Sequence, residues 1–133
     1  MMVVDSSVWI DYFNGRQTQQ TLYLRDKADR SLIVVGDLIL CEVLQGFRHD
    51  KDFQAARRLL LSFRYLDMVG QGVALEAARH YRALRARGVT VRKTIDVLIG
   101  TFCLENDFEL LHDDRDFDPM ETHLGLRVAC LEP

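Results

Sequence analysis

Short apolar runs that stop abruptly, separated by stretches of helical length, constrain this chain most. Met2-Val3-Val4 ends at Asp5, Ser31–Val35 (SLIVV) ends before Asp37, and Glu109–Leu111 leads into an acidic stretch. Runs this short, bounded by charges or turn residues, read as buried strands. Tyr65–Val69 and Leu126–Leu131 are two further candidates, the first of them weak. Between them lie helical patterns. Ser6 and Ser7 are expected to cap a helix carrying Trp9, Ile10, Tyr12 and Phe13 that breaks at Asn14-Gly15. Residues 17–28 read as helix, as do Asp37 to about Phe47 with Asp37 as cap, and Asp52 to Phe63. Ala74, Ala77, Ala78, Tyr81 and Leu84 form one apolar stripe on a helix ended by Gly88. Thr94 is expected to cap the next, with Ile95, Leu98, Ile99 and Phe102 at helical spacing. Strands alternating with helices predict an α/β chain. Its expected architecture is a three-layer α/β/α fold around a central, mainly parallel sheet of four to five short strands. Ligand sites in such sheets form beyond the C-terminal strand ends.

The 133 residues predict one domain spanning 1–133, without linker or repeat. Hydrophobic residues make up 48% and charged residues 28%, which argues against disorder. No apolar run reaches the roughly 18 residues that cross a membrane. The start carries Asp5 and no basic leader, so a cytoplasmic location is expected. Cys41, Cys103 and Cys130 are far apart and odd in number; they read as buried thiols, not as a metal site. The net charge of −3 counts against a nucleic-acid partner, but its distribution is uneven. Arg79, Arg82, Arg85, Arg87, Arg92 and Lys93 fall in one stretch without an acid, while acids concentrate between Glu105 and Glu121.

Four carboxylates stand in surroundings wrong for a solvated charge. Asp5 ends a strand, and Glu42 is the only charge between Leu38 and Phe47. Asp96 sits among Ile95, Val97, Leu98 and Ile99, and Asp114 follows a strand in LLHDDRDF. Burying an unpaired carboxylate costs several kcal/mol. Each acid alone has an ordinary alternative as helix cap or ion-pair partner, and Glu42, in mid-helix, fits that alternative least. Were Asp5 and Asp114 at one sheet edge, their repulsion would call for a cation. Oxygen donors without a His or Cys cluster select magnesium or manganese over zinc. Gly46, four residues after Glu42, either admits a close neighbour or marks a helix end.

In this order and spacing, VVDSSVWIDYF, ILCEVLQG, LRARGVTVRKTIDVLIG and LLHDDRDF resemble the PIN-domain nucleases, and among them the VapC-type toxins. The resemblance runs from near the start of the chain to near its end. It implies a PIN-like fold and an Mg2+-dependent (or Mn2+-dependent) endoribonuclease, the toxin of a type II toxin–antitoxin system. The metal-binding, catalytic quartet would be Asp5, Glu42, Asp96 and Asp114, with Asp116 beside it and Ser7 in support. Asp5 and Asp114 would anchor the main ion, with Asp96 and Glu42 holding a second ion or orienting water. His112 departs from the usual Thr and Gly100 from the usual Ala, and Asp113 leaves the register of Asp114 open by one. The implied partners are an RNA substrate, a cognate antitoxin inserting an Arg or Lys near the acids, and a second copy in a homodimer.

Arg79, Arg82, Arg85, Arg87, Arg92 and Lys93 are candidates for holding RNA phosphates, or else a solvated helix face. Trp9, Tyr12 and Phe13 could stack bases, though aromatic residues at this spacing more often form core or dimer surface. The four histidines are scattered and take no assigned role. A signalling receiver would need an adjacent acid pair after the first strand, and a haloacid-dehalogenase-like phosphatase would need a second acid in Asp5-Ser6-Ser7. A catalytically weak PIN-fold scaffold or RNA-binding module remains the alternative, and the full quartet argues against it.

Overall fold

The computed structural model describes residues 1–131. Four strands, β1 (Met2–Val4), β2 (Ile33–Gly36), β3 (Arg64–Leu66) and β4 (Glu109–Leu111), form one sheet in the order β3-β2-β1-β4. Every pairing is parallel. All residues of β1 and β2 are buried. Successive side chains of a strand point to opposite faces, so both faces of these strands are covered. α1 (Ser6–Phe13), α2 (Gln19–Asp26), α3 (Asp37–Leu44) and α4 (Asp50–Leu60) pack in one group. α5 (Gln71–Ala86), α6 (Thr94–Asn106) and α7 (Asp118–Leu124) pack in another. Among the described residues, no helix is long and apolar enough to cross a membrane.

The strand order decides where chemistry can happen. From β1 the chain steps to β2 and β3 on one side, then returns to place β4 on the other side of β1. The reversal opens a crevice beyond the C-terminal ends of β1 and β4, the usual ligand position in open α/β sheets. The Asp5 N–H donates to the Leu111 carbonyl at 2.8 Å and holds the two strand ends together.

Several local expectations are corrected. Leu126–Leu131 contributes only a bridge between Leu110 and Val128 and not a fifth strand. Its buried residues Leu126 and Ala129 lie three apart, so it lacks the period of two that a pleated strand needs. β3 starts at Arg64 and ends at Leu66, short of Val69, because Met68 turns inward and is fully buried. The acidic stretch holds a 3₁₀ turn at Arg115–Phe117 and then α7, signalled by Pro119 in its first turn and left-handed Gly125 after its end. Asp5, not Ser6 or Ser7, caps α1. Gly36 and Lys93 occupy the cap positions expected for Asp37 and Thr94, neither with a side-chain cap bond. Asp37 Oδ1 instead accepts from the Leu38 and Met68 N–H groups at 2.9 and 3.0 Å. Cys41 and Cys130 are exposed, and Cys103 alone is buried. Gly46 lies past the end of α3 with no close neighbour from another element, so it marks a helix end.

Trp9 is buried against Tyr12, Phe13 and Phe63, and Phe13 packs on Phe47. This aromatic group therefore belongs to the packing of α1. Two glycines are set by close approach: a Cβ at Gly36 would overlap the Met68 side chain, and one at Gly100 would overlap Met120. Both methionines are fully buried. Gly36→Ala should lower the unfolding free energy by about 1–3 kcal/mol, the usual cost of overpacking a filled core. Urea denaturation measures it, and an unchanged midpoint would show that Met68 can yield.

Candidate active site

Asp5 reaches the crevice because β1 ends there and α1 begins. Its Oδ2 caps α1, accepting from Ser7 N–H at 3.1 Å and from the Ser7 hydroxyl at 2.6 Å. Its Oδ1 is buried without a hydrogen-bond partner. Ser7 Oγ also accepts from the Asp113 N–H at 3.2 Å, tying the loop after β4 to the start of α1. Glu42 enters from α3, half-buried, and accepts from the Ser6 hydroxyl at 2.9 Å. That contact gives Ser6 a role no local signal announced, since the two residues are 36 apart in sequence.

Asp96, in the first turn of α6, is buried, and its Oδ2 has no hydrogen-bond partner. Asp114 Oδ1 caps the 3₁₀ turn by accepting from Asp116 N–H at 2.9 Å. The same turn carries Asp116 inward with a buried, unpartnered Oδ2. One carboxylate oxygen each from Asp96, Asp114 and Asp116 lies within 4.8 Å of the others. Asp116, read from sequence as an acid beside the quartet, is thus part of the tightest grouping. Asp113 is exposed, and the carboxylate aimed into the cluster is that of Asp114. His112 supplies the support a hydroxyl would give, its Nδ1 accepting from Asp114 N–H at 3.2 Å while its ring packs on Phe117.

Two of the six basic candidates reach this cluster. Lys93 Nζ lies 3.3 Å from Asp114 Oδ2 and 3.7 Å from Asp96 Oδ2, and Arg92 bonds Asp116 Oδ1 at 3.2 Å. Arg79, Arg82, Arg85 and Arg87 are exposed along α5 and its end. Arg79 pairs with Glu76 and Arg85 lies over the Tyr81 ring. Arg82 borders an open, mainly apolar groove of about 430 Å³ between α5 and α6, lined also by Ala74, Ala78 and Leu98.

The electrostatics follow from burial and crowding. Desolvation pushes Asp96 up to about 7; Lys93 opposes the shift, and Asp5, Asp114 and Glu42 add to it. Burial likewise raises Asp5 and Glu42 above the ordinary carboxylate range against the pull of Ser7 and Ser6. Asp114 goes the other way: its desolvation is outweighed by the Asp116 N–H and Lys93. Lys93 is raised because the carboxylates around it outweigh its own desolvation.

Several crowded acids, three of them with buried oxygens that lack a hydrogen-bond partner, fit a hard divalent cation. The PIN domain family model matches residues 2–121. The chain belongs to the PIN-domain family. Ribonuclease VapC11 of Mycobacterium tuberculosis is 28% identical over 131 residues, covering 97% of this chain and 98% of that protein. Two solved structures share the PIN fold at low identity. FitAcB from Neisseria gonorrhoeae superposes with a TM-score of 0.78 at 15% identity, covering 98% of both chains. A toxin–antitoxin complex from Klebsiella pneumoniae gives 0.73 at 16%, covering 99% of this chain and 98% of that one.

The acidic cluster carries a pH signature. Folding lifts the Asp96 carboxyl from the ordinary 3.8 to about 7, so in that window the folded state holds a proton the unfolded chain releases. Stability contributed at this site therefore falls as pH rises from about 4 to about 7. Metal-free protein should lose part of its melting temperature between about pH 5 and pH 8 through this group. Asp96→Asn should shrink that loss, read by scanning fluorimetry in EDTA. An identical pH dependence in the variant would mean that Asp96 ionises freely.

Proposed function

We propose that this chain is the toxin ribonuclease of a toxin–antitoxin pair. It would hydrolyse RNA phosphodiester bonds with a Mg2+ or Mn2+ ion held by Asp5, Glu42, Asp96 and Asp114, with Asp116 beside them. The observation that carries the reading is the set of buried carboxylate oxygens without a hydrogen-bond partner on Asp5, Asp96 and Asp116 at the β1/β4 switch point. Such oxygens are costly to bury without a cation. A bound divalent ion would supply an acidified water and charge stabilisation at the leaving oxygen.

The chain's own residues do the rest. Asp96, Asp114 and Asp116 present three oxygens from two elements, and their spacing is set by α6 and by the 3₁₀ turn. Ser7 holds Asp5 in one rotamer and leaves its second oxygen free for the ion. Ser6 orients Glu42 across the crevice, where it would help hold the ion or orient the attacking water. Arg92 and Lys93, both exposed, stand at the mouth of the cluster where a phosphate would approach. Arg79, Arg82, Arg85 and Arg87 extend the positive surface for the RNA backbone.

The ribonuclease reading draws on the whole-length similarity to VapC11, and the antitoxin partner on the toxin–antitoxin complex that shares the fold. A homodimer, implied by the sequence resemblance, belongs to the same reading.

The test is cleavage of RNA by the purified protein with Mg2+ or Mn2+. Chelation with EDTA, Asp5→Asn and Asp96→Asn should each abolish cleavage while circular dichroism stays unchanged. Ser7→Ala should reduce it by about 10–100-fold, the usual cost of losing a residue that supports a ligand. Cleavage that survives EDTA or Asp5→Asn would overturn the assignment. Metal binding without cleavage of any RNA would move the protein to a scaffold role.

A further inference from the structure

The ammonium of Lys93 occupies a notable position. It sits between two members of the tightest carboxylate grouping, 3.3 Å from Asp114 Oδ2 and 3.7 Å from Asp96 Oδ2. Asp116 and Glu42 are also near enough to act on it or feel it electrostatically. Its neighbour Arg92 neutralises Asp116 from the outside at 3.2 Å. The Lys93 side chain is 53% exposed, whereas that of Asp96 is 4% exposed. The cation therefore stands on the solvent side of the pair and the anion it serves is enclosed. Lys93 is also the cap residue of α6, so its backbone is placed three residues before Asp96, and its side chain makes no cap hydrogen bond.

We propose that Lys93 is a resident counter-cation that holds the acidic cluster together when it carries no metal, and that a divalent ion must displace it to bind. This rests on the reading of the cluster as a divalent-ion site, and adds that metal loading is an exchange of one cation for another. A magnesium ion needs carboxylate oxygens at about 2.0–2.1 Å. Oxygens drawn to that distance leave no room for an ammonium between the same carboxylates, and the two cations repel. The Lys93 ammonium is half exposed and its attraction to the carboxylates is screened by solvent on that side, so the exchange is reversible, and Lys93 sets a threshold for the ion without closing the site.

The experiment is calorimetric titration of Mn2+ into wild type, Lys93→Met and Lys93→Arg, with melting temperatures in EDTA and in Mn2+. Lys93→Met should bind Mn2+ up to about 5-fold more tightly, the affinity equivalent of a surface ion pair. It should melt lower than wild type in EDTA and gain more from Mn2+. Lys93→Arg, which keeps the charge, should stay near wild type. Equal affinities for wild type and Lys93→Met, or weaker binding by Lys93→Met, would overturn the exchange and leave the metal site standing. Absence of Mn2+ binding in all three proteins would overturn both readings. Binding by Lys93→Met but not by wild type would support the exchange in its strongest form.

Discussion

Repulsion among carboxylates gathered at one end of a parallel sheet is the constraint on which the rest of this structure depends. Asp5, Glu42, Asp96, Asp114 and Asp116 come from four separate segments, and bringing them together opposes folding. The fold offsets this cost locally. Asp5 and Asp114 accept backbone N–H groups at the starts of turns, Ser6 and Ser7 donate to Glu42 and Asp5, and Lys93 and Arg92 supply charge from the rim. What remains without a hydrogen bond is specific: one oxygen each on Asp5, Asp96 and Asp116, that of Asp96 facing Lys93 Nζ at 3.7 Å.

The same hydrogen bonds that satisfy the acids also aim them. Because Asp5 Oδ2 is occupied by capping α1, the free Oδ1 has a defined direction. Because the Asp114 carboxylate closes the 3₁₀ turn, Asp116 is rotated toward the cluster instead of into solvent. Ser7 links the loops after β1 and β4 by donating to Asp5 and accepting from Asp113. Rigidity here is a property of turns and caps, and it lets a site built on loop ends hold a geometry that chemistry can use.

How much could be read beforehand varies by element. β1, β2 and β4 were legible because a buried parallel strand is a short apolar run in any context, and Asp5 because a charge that ends such a run is out of place. Leu126–Leu131 looks similar but keeps its buried residues three apart and makes a single parallel bridge to β4. Asp118–Leu124 was hidden because its acids suggested a loop, although Pro119 and Gly125 punctuate a helix there. Cys41 lies in an apolar run yet faces solvent, since α3 buries only Ile39 and Val43.

The sequence by itself determined the alternation of strands and helices and the acids that no ordinary surface would place in apolar surroundings. Periodicity and burial cost are local properties of the chain, so they can be read without coordinates. Tertiary structure alone decided which acids share a space, that Ser6 serves Glu42, that His112 supports Asp114, and that only Arg92 and Lys93 of the basic run reach the cluster. Those facts depend on the β3-β2-β1-β4 order. That order joins residues far apart along the chain, and no local pattern encodes such distances.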